Sequence, residues 1–123
     1  MKNLLLLVML LTSTATWGQI SGTEMLHRCS AAVRHDDGEK LNGEELVEAT
    51  YCLGYASGFL DAIPVVELAS NTQPNVCVPQ DGLDIKQAVR IFVKYLREHP
   101  EDLYINARLT FYKSILMAFP CKR

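Results

Sequence analysis

The chain has 123 residues and a formal net charge of −2, with 12 Lys and Arg against 14 Asp and Glu. That length is one domain's worth, and the acidic balance excludes a nucleic-acid binder, whose partner's phosphates demand a positive surface. Lys2 followed by the apolar run Leu4–Leu11 and the small-residue tail Thr12–Gly18 has the three-part layout of a secretory leader, and a run of that length falls far short of the roughly 20 residues of a membrane anchor.

Cleavage is expected after Gly18, with Ala15 as the second choice, so residues 1–18 are read as a signal peptide and 19–123 as the mature domain. The competing reading is an N-terminal core helix. No cysteine sits just after the apolar run to carry a lipid. Loss of Lys2 with the leader leaves a mature net charge of about −3.

The first helix is predicted to open at the capping signal Ser21-Gly22-Thr23-Glu24 and to run to about Arg34. A polar turn, His35–Lys40, follows. Asn42-Gly43-Glu44-Glu45 repeats the capping signal and opens a second helix. Its positions Leu46, Ala49, Leu53, Ala56, Leu60 and Ile63 make one apolar stripe. Pro64 should end or kink it, Val65–Ala69 add at most a short helical turn, and Ser70–Pro79 reads as a loop.

Asp84 and Gln87 cap a third helix, with Leu83 as the staple residue before it. In it Ile85, Ala88, Val89, Phe92 and Leu96 face inward, while Lys86, Arg90, Lys94 and Arg97 form a basic outer ridge. Such a ridge is either a solvated face or a surface steering an acidic partner. His99-Pro100 stops this helix, and Pro100-Glu101-Asp102 is expected to start the fourth.

The fourth helix carries two stripes: Leu103, Ala107, Phe111, Ser114 and Ala118; and Ile105, Leu109, Tyr112, Leu116 and Phe119. A helix apolar on two sides is central in its bundle or shared with a partner subunit. No β-alternating run of useful length appears. The expected fold is all-α, four helices in two antiparallel hairpins.

The four cysteines, Cys29, Cys52, Cys77 and Cys121, lie in the mature part. An even number in an exported chain reads as two disulfides. Spacing alone allows three pairings; the hairpin layout favours Cys29–Cys52 and Cys77–Cys121, each closing its own hairpin.

Gly54 and Gly58, with Ala62 beyond, recur every four residues on the second helix. They imply close approach of another helix, within the bundle or in a dimer, since glycine inside a helix costs about 1 kcal/mol against alanine. Asp61 and a short apolar reach argue against a membrane span there. Gly54, Gly58, Ile105, Leu109, Tyr112 and Leu116 are therefore helix-packing or dimer candidates, and Tyr51, Tyr55 and Phe59 an aromatic packing row. His27 with Cys29, or His35 with Asp36 and Asp37, lacks recognised metal spacing. No nucleophile elbow, phosphate loop or free thiol is expected, so neither a catalytic residue nor a cofactor is assigned.

Cys52-Leu53-Gly54-Tyr55-Ala56-Ser57-Gly58 resembles the C-x-G-Y-x-x-G element of the Rap/Tai family of type VI secretion immunity proteins. The Cys77-Val78-Pro79 step, the Gln87 helix start, the run Tyr95–Glu101 and the closing Ala118-Phe119-Pro120-Cys121 are similar in order and spacing. The resemblance spans Cys29 to Cys121. It implies a helical periplasmic protein, in several cases a homodimer, that occludes the substrate groove of a cell-wall amidase effector and so protects the producing cell. By position, the charged turn Glu98, His99, Pro100, Glu101 and Asp102, with Tyr104, is the candidate effector-binding tip. The alternative is a periplasmic acid-stress chaperone that binds clients promiscuously.

Overall fold

The computed structural model describes residues 18–122. Apart from Gly18, the expected leader lies outside them. Four α-helices run among the described residues: α1 (Gly22–Asp36), α2 (Gly43–Ser70), α3 (Ile85–Glu98) and α4 (Ala107–Ala118), with a single 3-10 turn, Pro100–Asp102, between the last two. The described residues contain no strand, so the fold is all-α as expected.

Caps set the starts. Ser21 Oγ accepts from Glu24 N at 3.2 Å. Asn42 and Glu45 form a reciprocal capping box, each bond 2.9 Å. Asp84 accepts from the amides of Lys86 and Gln87. Between α1 and α2, the Arg34 guanidinium binds both Glu39 and Glu45, clasping the turn that Gly38 closes at φ +89°.

Two boundaries differ from expectation. Pro64 does not end α2; the helix continues to Ser70 and is closed by Asn71 in the left-handed conformation. By length and composition α2 is thus apolar enough to cross a bilayer, which corrects the short reach expected of it. Its first half is nonetheless committed to the bundle: Ala49, Cys52 and Ala56 are buried, and α1 packs along it.

The fourth helix also starts later than Pro100. The backbone of residues 103–107 pairs with the N-terminal segment instead of with itself. Thr23 N donates to Leu103 O, Gly22 N to Ile105 O, and Ala107 N to Ile20 O, each at 2.9 Å. Carbonyls aimed at another segment do not lie along the axis toward the i+4 amides of a helix. Asn106 therefore supplies a new N-cap, accepting from Arg108 N at 3.0 Å.

Met25, Val89, Phe92, Leu96, Phe111 and Ile115 fill the core. The inward face expected for α3 is found, its Ile85 only half-buried. Phe111 is the hub, with ring centroids 4.8 Å from Phe92 and 4.9 Å from Phe59. Helices α2 and α4 meet mainly through such rings, while α1 packs on α2 and α3, and α4 on α3. The basic ridge is partly neutralised by α1: Asp36 binds Lys86 at 2.9 Å and Arg90 at 2.6 Å, and Asp37 binds Arg90 at 2.6 Å.

The disulfides pair Cys29 with Cys52 and Cys77 with Cys121, the pairing that the hairpins favour. The first lies fully buried between α1 and α2. In the second, Cys77 is exposed and Cys121 half-buried. There Cys77 N donates to Phe119 O at 2.8 Å and Cys121 N to Asn75 O at 3.1 Å.

Candidate functional site

The turn joining α3 to α4 is held from several sides. Asp102 is only 8% exposed. Its carboxylate accepts from the Tyr95 hydroxyl on α3 and from Lys113 Nζ on α4 at 3.1 Å. These two donors hold the carboxyl below its ordinary range, Tyr95 more strongly. Burial, then the bond to Asp102, pushes the Tyr95 phenol up to about 12. Behind the turn, a Cβ on Gly22 would meet the carbonyl oxygens of Asp102 and Leu103 at 3.1 Å and Leu103 Cα at 3.2 Å. Any side chain there would push the backbone of the turn by a few tenths of an ångström.

Asp102 is therefore a buttress, not a presenting group, which corrects its place among the effector-facing candidates. The structure turns the others outward except His99. Tyr104 is 83% exposed, and Glu98, Pro100 and Glu101 are exposed. His99 is half-buried, its ring 4.4 Å from that of Tyr95. Its Nδ1 lies 2.9 Å from Glu101 Oε1, a contact that lowers the Glu101 carboxyl from its ordinary value. The tip is a pinned acidic and aromatic knob, with nothing in it arranged as nucleophile and base.

A second surface lies across α2 and α4. Among the described residues, no atom beyond the helix's own nearby backbone comes within 4 Å of a Cβ built on Gly54 or Gly58, so these residues make no close helix approach at either. The face they occupy is open. On α4 the first stripe enters the core except for the exposed Ala118; the second stays outside, with Leu109 exposed and Tyr112 and Leu116 half-buried. Ile105 is half-buried in the turn before α4. Between the two helices a cleft of about 330 Å³ is lined by Phe59, Ala62, Ile63, Val66 and Tyr112, with Glu67, Ser70, Thr72 and Asn75 at its polar end.

The metal candidates are otherwise engaged. Cys29 is bound in a disulfide, and Asp36 and Asp37 bind Lys86 and Arg90. Among the described residues, no cluster of three or more His, Cys, Asp or Glu side chains is placed to hold a metal ion.

The site is thus a pinned turn on a twice-stapled bundle. The model of the Rap1a immunity proteins matches residues 21–121. The chain belongs to that family. Membership gives it an immunity role, that of an inhibitor binding a cognate effector. Neither the curated proteins nor the solved structures yielded a match.

Gly22, Tyr95 and Lys113, which hold the tip in place, were not singled out by sequence reasoning as its supports. Gly22 sits inside a capping signal that accounts for it fully. The Tyr95–Asp102 spacing means nothing until the turn between them is known.

Proposed function

We propose that this member of the Rap1a immunity proteins is exported to the periplasm, where it binds and occludes a type VI secretion peptidoglycan amidase and so protects the producing cell. The observation that carries the reading is the tip: Glu98, Pro100, Glu101 and Tyr104 face solvent, while buried Asp102 ties the turn to α3 and α4. A rigid projection loses little entropy when it enters a cleft. Four disulfide-bonded cysteines agree with an oxidising compartment.

The open face of Gly54 and Gly58, with Leu109, Tyr112 and Leu116, is the proposed contact of a homodimer, because close helix approach there has no partner among the described residues. Glu101→Lys and Tyr104→Ala each alter only exposed groups. Both should weaken binding to the cognate amidase at least tenfold, measured by titration calorimetry, with the melting temperature unchanged. Full affinity in the double variant would remove the tip from the interface.

A further inference from the structure

The segment after the expected cleavage point is clamped at both ends of a short span: Ile20 O accepts from Ala107 N at 2.9 Å, and Gly22 N donates to Ile105 O at 2.9 Å. This fixes Gln19 beside Asn106. Asn106 has a defined orientation, because its Oδ1 accepts from both Arg108 N and Arg108 Nε at 3.0 Å. Its amide nitrogen is thereby turned to Gln19, and Nδ2 donates to Gln19 Oε1 at 3.0 Å.

We propose that Gln19 is a modification site, cyclising to pyroglutamate once it becomes the mature N-terminus, with Asn106 promoting the closure. The inference rests on the export reading and on cleavage after Gly18. The free α-amine, with an ordinary pKa near 8, is in part neutral at neutral pH. Its lone pair attacks Cδ of its own side-chain amide, forming the C–N bond of a five-membered lactam. Negative charge develops on Oε1, the oxygen that the Asn106 amide already faces. A donor fixed at that position lowers the barrier without reorganising at the moment of reaction. The added proton passes from the former amine to Nε2, the Cδ–Nε2 bond breaks, and one ammonia leaves. No oxidant or co-reactant is consumed. Gln19 is exposed, so the ammonia departs directly into solvent. The product has lost its terminal charge and is closed to aminopeptidases at the end that braces the tip.

Two measurements test this. Mass spectrometry of the N-terminal peptide from the exported protein should show residue 19 one ammonia lighter than glutamine. In vitro, folded protein released from a fusion cut directly before Gln19 should cyclise roughly tenfold faster than the free peptide Gln19–Thr23. Asn106→Ser keeps an oxygen to cap α4 but has no amide donor, and should fall to the peptide rate. Free glutamine on the mature chain, a folded rate equal to that of the peptide, or an Asn106→Ser rate equal to wild type would each overturn the assignment. A mature chain starting at any other residue would overturn the cleavage reading and this inference with it.

Discussion

Replacing Cys77 and Cys121 together by alanine removes the accessible bridge and leaves Cys29–Cys52 in place. The two bridges close separate, non-overlapping loops, spanning 44 and 23 residues of sequence. Chain-entropy reasoning assigns about 4 kcal/mol to the longer loop and about 3.4 kcal/mol to the shorter. Either is a large share of the 5–15 kcal/mol typical of a whole domain. With a urea slope of about 1.5 kcal/mol/M, loss of Cys77–Cys121 should lower the unfolding midpoint by roughly 2–3 M. Burial adds a second, independent expectation. Thiolate attack requires access, and Cys29 and Cys52 are fully enclosed while Cys77 is exposed. Mild reductant under native conditions should therefore open Cys77–Cys121 first, and alkylation followed by peptide mass mapping reads the order directly. Labelling of Cys29 and Cys52 ahead of the other pair, or a midpoint shift under about 0.5 M, which is below 1 kcal/mol at that slope, would refute the reasoning.

Gly22→Ala places a methyl group 3.1 Å from the carbonyl oxygens of Asp102 and Leu103, so the turn must shift slightly and the change should cost about 1–3 kcal/mol in urea unfolding; a neutral result would contradict the close approach. Gly58→Ala has open space and should instead stabilise the monomer by up to about 1 kcal/mol, whereas Gly58→Leu should shift the proposed dimer toward monomer in light scattering. Asp102 has a folded pKa below its ordinary 3.8, so its contribution is full above that value and fades as pH falls through the depressed folded one. Tyr95→Phe removes the strongest cause of that depression, so circular dichroism should show acid unfolding beginning at higher pH than in wild type. At the alkaline end the phenol of Tyr95, raised from 10.0 to about 12, loses its stabilising effect as pH rises between those values; tyrosinate absorbance in Tyr95→Phe should lack the latest-ionising phenol.

Local signals carried most of the fold. The caps at Ser21, Asn42 and Asp84 depend on three or four adjacent residues, and all three helices start where those residues say. The cysteine pairing was legible because it follows from which helices form hairpins. Pro64 and Pro100 misled in opposite directions. A proline disfavours the helical turn before it by only a few kcal/mol, which the length of α2 outweighs. Pro100 is a good first helical residue, yet the carbonyls of Leu103 and Ile105 that would extend its helix accept from Thr23 and Gly22, some 80 residues away in sequence. No window of neighbouring residues contains that competition. Of the site, the exposed charges could be read from composition, but the inward turn of Asp102 could not, because it depends on Tyr95 and Lys113 arriving from two helices.

The pairing of residues 19–23 with 103–107 joins two distant segments of the polypeptide, over a sequence separation that reaches 87 residues between Gln19 and Asn106. Ring closure over such a span is slow relative to local helix formation. A chain appearing from its amino end can form α1 early, but the tip stays unbraced until the last helix has emerged. Bracing of the proposed tip is thus expected late in folding, and a chain truncated before Ala107 would keep Glu98–Tyr104 but lose the Ala107 and Lys113 contacts that hold the turn.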